Sequence, residues 1–274
     1  MWLFPSLGVK INLKIDFDMV VHKFDRPITI IPVSDVHIGA LEHNKEQWEA
    51  FCKYVQDNKN IFLILGGDLI NNSVRNSVAN PFDEVLRPRE QKKKIVEYLT
   101  PIKDRILCCV SGNHEARTTK DPDQDITYDI MSKLDLEDVY RENACFMKVS
   151  LGERNNGKRT KPVASYTFCV AHGAGGGQTG SVVNRNEKFS CAIDGLDCMI
   201  VGHSHKGSVS KPSKIVIDPQ NNRVTVKPYT VISMVSWLNY GGYALKKMLL
   251  PADTCDPQKL NLHMSKNKRI EVTW

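Results

Sequence analysis

Five of the chain's eight histidines fall in short polar clusters shared with aspartate and asparagine: Asp35-Val36-His37, Gly66-Gly67-Asp68, Gly112-Asn113-His114-Glu115, His172-Gly173 and Gly202-His203-Ser204-His205. Imidazole nitrogen suits zinc, iron, manganese and nickel, whereas carboxylate and amide oxygens suit harder ions and can bridge two of them. Two divalent cations roughly 3.5–4 Å apart clamp the attacking and leaving oxygens of a phosphate ester and make a hydroxide available near neutral pH. The pattern therefore points to phosphoester hydrolysis at a paired metal centre assembled from these clusters. Singly each cluster is weak, because a lone histidine at a strand end is usually structural and a GD or HG dipeptide carries almost no information.

What gives the clusters weight is their position. Each follows an apolar run that is bounded by turn residues and rich in β-branched side chains: Ile28–Val33, Ile61–Leu65, Ile106–Val110, Tyr166–Ala171 and Met199–Val201. These runs read as buried strands. Between the first three, Trp48, Phe51, Cys52 and Val55, then Ile95, Val96, Leu99 and Ile102, have helical spacing, so the order is βαβαβ. Ile126, Ile130, Met131 and Leu134 form a third amphipathic segment. From Asn143 the chain reads as strand-rich, with a basic turn at Asn155–Lys161 and a hairpin joining Lys214–Ile217 to Arg223–Lys227 through Asp218–Asn222. Ligands of α/β sheets bind in the crevice beyond the carboxyl ends of the strands, so five separate segments deliver side chains to one place.

The 274 residues, 41% hydrophobic and 25% charged, suit a globular protein, and no long linker or internal repeat divides them. No apolar stretch approaches the roughly 20 residues of a membrane span, and Met1–Val9 is too short and lacks the basic start of a signal peptide. The eight cysteines show no CxxC spacing, and Cys108, Cys109, Cys169 and Cys198 lie in strand-like runs. Reduced core thiols and a cytoplasmic location are the expectation. A net charge of +6 and a pI near 8.8 tilt towards an anionic partner, with the excess at Lys92–Lys94, Arg154–Lys161 and Lys266–Arg269. Such runs are more often solvated faces than binding patches. Nothing in the sequence signals an oligomeric state.

The ordered set DxH, GD, GNHE, HG and GHxH, running from Asp35 to His205, resembles the calcineurin-like metallophosphoesterase superfamily. The resemblance implies an α/β fold, a four-layer αββα sandwich of two central mixed sheets flanked by helices. It would occupy residues 1–274 as one domain, with 206–274 completing the second sheet. It also implies that Asp35, His37 and His205 hold a first metal, that Asn113, His172 and His203 hold a second, and that Asp68 bridges both. A metal-bridging hydroxide would be the nucleophile. Catalysis is expected from Asp68, Asn113 and His114, the last as a non-ligand that hydrogen-bonds the phosphate and stabilises or protonates the leaving oxygen. Manganese is the expected metal, with iron, zinc or nickel acceptable to the same ligands.

The substrate is less sharply written. Protein Ser/Thr phosphatases share GNHE but read GDxVDRG at the second motif, whereas Asp68-Leu69-Ile70-Asn71-Asn72-Ser73 brings no arginine before Arg75. Double-strand-break nucleases carry GNHD and also match only in part. GGDLINN, SGNHEAR and HGAGGGQTG resemble the metallophosphoesterases of bacteriophage and prophage genomes, which implies a microbial or viral cytoplasmic enzyme acting on nucleic acid or nucleotides. The expected function is thus a phosphodiesterase or nuclease. The alternatives are a phosphomonoesterase on a phosphoprotein or small metabolite, and a non-catalytic metal-binding module. Arg117, Asn71, Arg75 and Arg185 are candidate substrate contacts, with a surface salt bridge the competing reading for Arg117 and a turn role that for Asn71. Asn184 is a further candidate. The Gly173–Gly180 segment reads as a mobile loop or a phosphate-binding backbone. Trp237, Tyr240 and Tyr243 offer either core packing or a face for stacking on a base. Lys158, Arg159 and Lys161 would suit a nucleic-acid backbone.

Overall fold

The computed structural model describes residues 18–274 apart from 75–76, 78–80, 120–123, 156–159, 176–179 and 252–253. In chain order the elements are β1 (Met19–Phe24), β2 (Ile28–Val33), α1 (Lys45–Asp57), β3 (Ile61–Leu65), α2 (Pro88–Leu99), β4 (Ile106–Val110), α3 (Ala116–Thr119) and α4 (Ile126–Lys133). There follow β5 (Tyr140–Arg141), β6 (Ala144–Asn155), β7 (Thr160–Ala171), α5 (Gly180–Cys191), β8 (Cys198–Val201), β9 (Ser208–Ser210), β10 (Ser213–Asp218) and β11 (Arg223–Pro228). β12 (Thr230–Ser233), α6 (Gly242–Lys246), β13 (Lys259–Leu262) and β14 (Ile270–Thr273) complete the chain.

Two mixed sheets form the centre. One has the order β1-β6-β7-β8-β12-β9 and the other β14-β13-β2-β3-β4-β5, with β10 and β11 paired as a separate hairpin. Their inner faces meet in a core that includes Ile30, Ile64, Cys108, Met147, Phe168, Ile200 and Leu260. The outer face of the second sheet is covered by α1, α2 and α4, whose Trp48, Phe51, Val55, Ile95, Leu99, Ile130 and Met131 pack on Ile31, Leu63, Leu65 and Cys109. On the opposite side, α5 is tied to the first sheet by Asn186 Nδ2 donating to Ser233 Oγ and Ser190 Oγ donating to the Tyr229 hydroxyl. The result is a four-layer αββα sandwich.

Local chemistry explains the helix boundaries that frame the site. Asn44 caps α1 by accepting from Gln47 N, and Asp125 caps α4 by accepting from Tyr128 N. α2 begins with Pro88 at its first turn, where the missing N–H costs nothing, and Glu90 accepts from Arg87 N.

One expectation is corrected. Residues 206–274 do not simply complete one sheet but divide between both: β9 and β12 extend the first, and β13 and β14 extend the second. Burial is the reason. Ile232 lies beside β8 in the inter-sheet core, while Leu260 and Leu262 reach the same core from the other side, alongside β2. α5, which follows the glycine-rich segment, is an element to which the sequence reading assigned no structure. The expected hairpin forms as β10 and β11, with Ile215 opposite Val226 and Ile217 opposite Val224.

Candidate metal centre

All the polar clusters sit where β2, β3, β4, β7 and β8 end. The chain turns sharply there: Asp35 and His37 follow β2 at φ 54° and 49°, Asp68 follows β3 at 51°, and His203 and His205 follow β8 at 67° and 56°. Left-handed backbone at a non-glycine residue costs of order 1–3 kcal/mol and persists only where the surroundings over-determine it. Here Asp35 N donates to Gly67 O, His37 N to Asp68 O and Trp237 N to Asp35 O, each at 3.0 Å. Gly112 allows the closest approach, since a β-carbon there would overlap Asp68 Oδ1 and its amide nitrogen.

Asp68 is at the centre. Its Oδ2 lies 3.2 Å from His172 Nε2, 3.9 Å from His37 Nε2 and 3.8 Å from His114 Nε2. On one side Asp35 Oδ1 is 3.1 Å from His205 Nε2 and 3.8 Å from His37 Nε2, and the Nε2 atoms of His37 and His205 face each other at 3.3 Å. On the other side His172 Nε2 is 3.0 Å from Asn113 Oδ1 and 3.3 Å from His203 Nδ1. Nitrogen and oxygen donors bound to one ion at about 2.1 Å stand from about 3.0 Å apart when adjacent to about 4.2 Å when opposite, so the spacings fit a cation on each side of the Asp68 carboxylate. An orphaned atom agrees: Asp35 Oδ1 is buried without a hydrogen-bond partner among the described residues. His205 Nε2 approaches Asp35 Oδ1 without hydrogen-bond alignment, as expected of two lone pairs aimed at a common point.

The ligand atoms are oriented from behind. His172 Nδ1 donates to Gly66 O at 2.8 Å, which leaves Nε2 facing the site. Asp35 Oδ2 accepts from Ser34 Oγ and from His203 N, which leaves Oδ1 free. Asp68 Oδ1 accepts from His114 N at 2.8 Å, which leaves Oδ2. His37, Asp68 and His114 also stand close enough to hold an ion. However, Arg117 Nη2 lies 2.8 Å from His114 Nε2, and a fixed guanidinium is incompatible with a cation at that lone pair.

The electrostatics fit a site prepared for positive charge. Burial favours neutral carboxyl groups at Asp35 and Asp68, yet the surrounding histidines outweigh it and hold both well below the usual range. Burial opposes charge on His172 too, but Asp68 beside it pushes that imidazole up to about 10. His205 is raised in the same way by Asp35. Bound cations would supply the positive charge that both carboxylates favour. His114 is different: burial, with His37 second, lowers it to about 3, so its ring is neutral.

The remaining sequence candidates are placed as follows. Arg117, in α3, is partly buried and donates to Asn71 O at 2.9 Å and Asn72 O at 3.4 Å as well as to His114, so it forms no surface salt bridge among the described residues. The Asn71 side chain turns away to Glu84 Oε1 and Ser73 Oγ. Arg185 and Asn184 are exposed on α5, and Arg185 Nη1 donates to Gly175 O at 3.3 Å. Trp237 is core, packed edge-on against Trp48 with centroids 5.1 Å apart, whereas Tyr240 is exposed. The Lys92–Lys94 run is a solvated helix face paired with Asp129 and Glu97. Arg75, Lys158 and Arg159 lie outside the described residues, as do 176–179 of the glycine-rich segment.

Sequence reasoning gave no role to two buried residues that hold the site. Glu115 accepts from the backbone N–H groups of Asp68, Ile70 and Gly112. Gln91, fully buried on α2, accepts from Asn72 N and donates to Glu84 and Leu86 O. A signal exists for the second: Gln91 is a polar residue in the apolar stripe continued by Ile95 and Leu99.

Residues 28–207 match the family model of the calcineurin-like phosphoesterases, and the chain belongs to that family. It is accordingly a metal-dependent phosphoesterase. Among curated proteins it is 26% identical over 115 residues to the DNA polymerase II small subunit of Thermoplasma acidophilum, a stretch covering 39% of this chain and 23% of that protein. Among solved structures it is similar to a metallophosphoesterase from Sphaerobacter thermophilus, with 14% identity, TM-score 0.38 and coverage of 90% of this chain and 89% of that one. It is also similar to a conserved uncharacterized protein of Streptococcus pneumoniae described as a predicted phosphoesterase, with 12% identity, TM-score 0.37 and coverage of 90% and 87%.

Proposed function

We propose that this phosphoesterase hydrolyses phosphodiesters of nucleic acid or nucleotides at a two-cation centre. The observation that carries the reading is the sharing of Asp68 between two ligand groups, Asp35–His37–His205 and Asn113–His172–His203, with donor atoms 3.0–3.9 Å apart. Divalent cations held there would supply charge neutralisation of the phosphoryl oxygens and an activated water oxygen at neutral pH. Manganese suits the mixed imidazole and oxygen donor set.

The chain's own residues fix the geometry. Ser34, Gly66 O and Glu115 orient the ligands or the turns that bear them. Asn113 is exposed and His114 and Arg117 partly so, which leaves the phosphate an open approach beside Asp68. A diester in nucleic acid is favoured over a phosphoprotein by the net charge of +6 and by the missing arginine immediately after Asp68. The name of the matched polymerase subunit points the same way. Eight free thiols, six of them buried, suit a cytoplasmic setting.

The direct test is hydrolysis of bis(p-nitrophenyl) phosphate with added manganese, followed by single-stranded DNA, duplex DNA, RNA, cyclic nucleotides and a phosphopeptide at equal metal. Turnover of the diesters with little on the phosphopeptide is expected. A preference for phosphomonoesters would overturn the substrate class while leaving the centre intact.

A further inference from the structure

At the end of the first sheet away from the ligand groups, a cavity of about 260 Å³ opens where β8 and β12 begin. Four cationic side chains line it from three stretches of chain: Lys211 between β9 and β10, Lys227 on β11, and Lys268 and Arg269 just ahead of β14. The one carboxylate in its wall is that of Asp197, so the lining carries an excess of three positive charges. Lys268 and Arg269 belong to the basic run at Lys266–Arg269, to which the metal centre gives no role.

Asp197 anchors the wall. Its Oδ2 accepts from Thr167 N and Thr167 Oγ1, each at 2.8 Å, and from Lys268 Nζ at 2.6 Å, with the carboxylate side chain only 9% exposed. The other three cations are uncommitted: Lys211, Lys227 and Arg269 make no side-chain hydrogen bond or ion pair among the described residues. They differ in this from Lys92–Lys94, which pair with Asp129 and Glu97. Like charges gathered around one cavity repel, and an anion seated among them replaces that repulsion with attraction. A guanidinium fork beside lysine point charges is a donor set for phosphate oxygens. The volume lies below the roughly 300–1,000 Å³ of pockets that enclose a whole small-molecule ligand, so it suits a phosphate group more than a complete nucleotide.

We propose that this cavity is a phosphate site, separate from the metal centre, that holds one backbone phosphate of a nucleic-acid strand while another phosphate lies at the centre. The proposal rests on the nucleic-acid reading above. Asp197 precedes β8 and His203 follows it, a separation of about 20 Å at roughly 3.3 Å per residue. A strand with one phosphate per 3.4 Å spans that distance in about six nucleotides. Small diesters therefore reach the centre alone, and only longer strands engage both places.

The test compares full-length wild type with the K211A/K227A/R269A variant and, as a control for net charge alone, K92A/K93A/K94A. Lys268 stays in place because its removal would strand the buried Asp197 carboxylate. Binding of a fluorescein-labelled single strand of about twelve nucleotides, twice the span above, is followed by anisotropy in chelator over a range of potassium chloride. The cavity variant is expected to bind about 10–100-fold more weakly near 0.1 M salt, with a log–log salt slope smaller by about 2, as loss of three phosphate contacts requires. The control should stay close to wild type. With manganese, the cavity variant should keep wild-type turnover of bis(p-nitrophenyl) phosphate, while its KM for the strand rises and kcat does not fall. Wild-type strand binding in the cavity variant, or equal weakening in the control, would overturn the site. Inorganic phosphate distinguishes the two sources of the ligand: if the cavity bound it as tightly as the strand, it would be a free-phosphate site and the backbone assignment would fall. Wild type that binds the strand through the three cations yet cleaves no diester with manganese would count against the phosphodiesterase reading instead.

Discussion

Both carboxylate oxygens of Glu115 are committed to backbone donors. Oε2 accepts from Asp68 N at 2.9 Å and Gly112 N at 3.1 Å, and Oε1 accepts from Ile70 N at 3.1 Å. Burial, with the Asp68 charge second, pushes this carboxyl up to about 7, and the backbone donors work against that rise. Glu115→Gln keeps size and shape but sets an amide N–H₂ against at least one N–H. A loss of about 1–3 kcal/mol is therefore expected, read from urea unfolding of the metal-free protein. An unchanged midpoint would mean that an acceptor on both oxygens is not needed. Asp68→Asn acts on the other side of the same turn. It preserves a carbonyl for His114 N but neutralises the oxygen between the two ligand groups, so elemental analysis should find bound manganese strongly reduced. Full retention of metal would show that Asp68 does not bridge. Of these two residues, Asp68 was legible in the sequence because it closes a strand in a GD cluster. The backbone-cradling role of Glu115 was not, because it depends on the three amides arriving from Asp68, Ile70 and Gly112.

At the scale of elements, β2, β3, β4 and β8 were readable because they are short, largely apolar runs, as parallel strands buried on both faces must be, whereas the longer β7 carries that character only towards its end. β1, β13 and β14 escaped for the opposite reason. They are edge or near-edge strands whose alternation is diluted by charge, as in Met19-Val20-Val21-His22-Lys23-Phe24 with only Val20 buried. α5 was masked by an asparagine-rich, weakly apolar sequence that becomes helical against β8 and β12. β1 nevertheless has a measurable role, because His22 Nε2 donates to Leu107 O of β4 at 2.7 Å and so pins the first sheet to the second. Burial lowers the His22 pKa from the ordinary 6.5, and the hydrogen bond to Leu107 only partly offsets this. The sign follows: the unfolded chain takes up a proton near pH 6.5 that the folded ring refuses until lower pH. The contribution of His22 to stability is thus complete above that value and is lost as pH falls below it. His22→Gln, which retains an N–H donor, is expected to give a shallower loss of stability between pH 7.5 and 5.5. Parallel unfolding curves for the two proteins across that range would refute a titrating role for His22.

At the scale of the whole molecule, the centre joins two sheets that otherwise meet mainly through apolar side chains, the bond from His22 to Leu107 O being a polar exception. Asp35, His37, Asp68 and Asn113 follow strands of one sheet, while His172, His203 and His205 follow strands of the other. Ions bound between them would act as cross-links that exist only in the folded state. Stabilisation by a ligand specific to the native fold is about 2.7 kcal/mol when its free concentration is a hundred times Kd. For a chain of this length that corresponds to roughly 5–10 °C in Tm. Manganese is therefore expected to raise Tm in a concentration-dependent way, and a chelator to reverse the rise. The strain at Asp35, His37, Asp68, His203 and His205 sharpens the expectation, since ligation stabilises turns that the backbone alone disfavours. Hydrogen exchange should locate the effect: amides at the C-terminal ends of β2, β3 and β4 and of β7 and β8 should gain protection together, while the hairpin of β10 and β11 does not change. Asp68→Asn should abolish the thermal shift and the shared protection alike. Protection confined to the ends of one sheet would mean that the ions do not bridge the sandwich, and the paired ligand groups would then be two unrelated clusters.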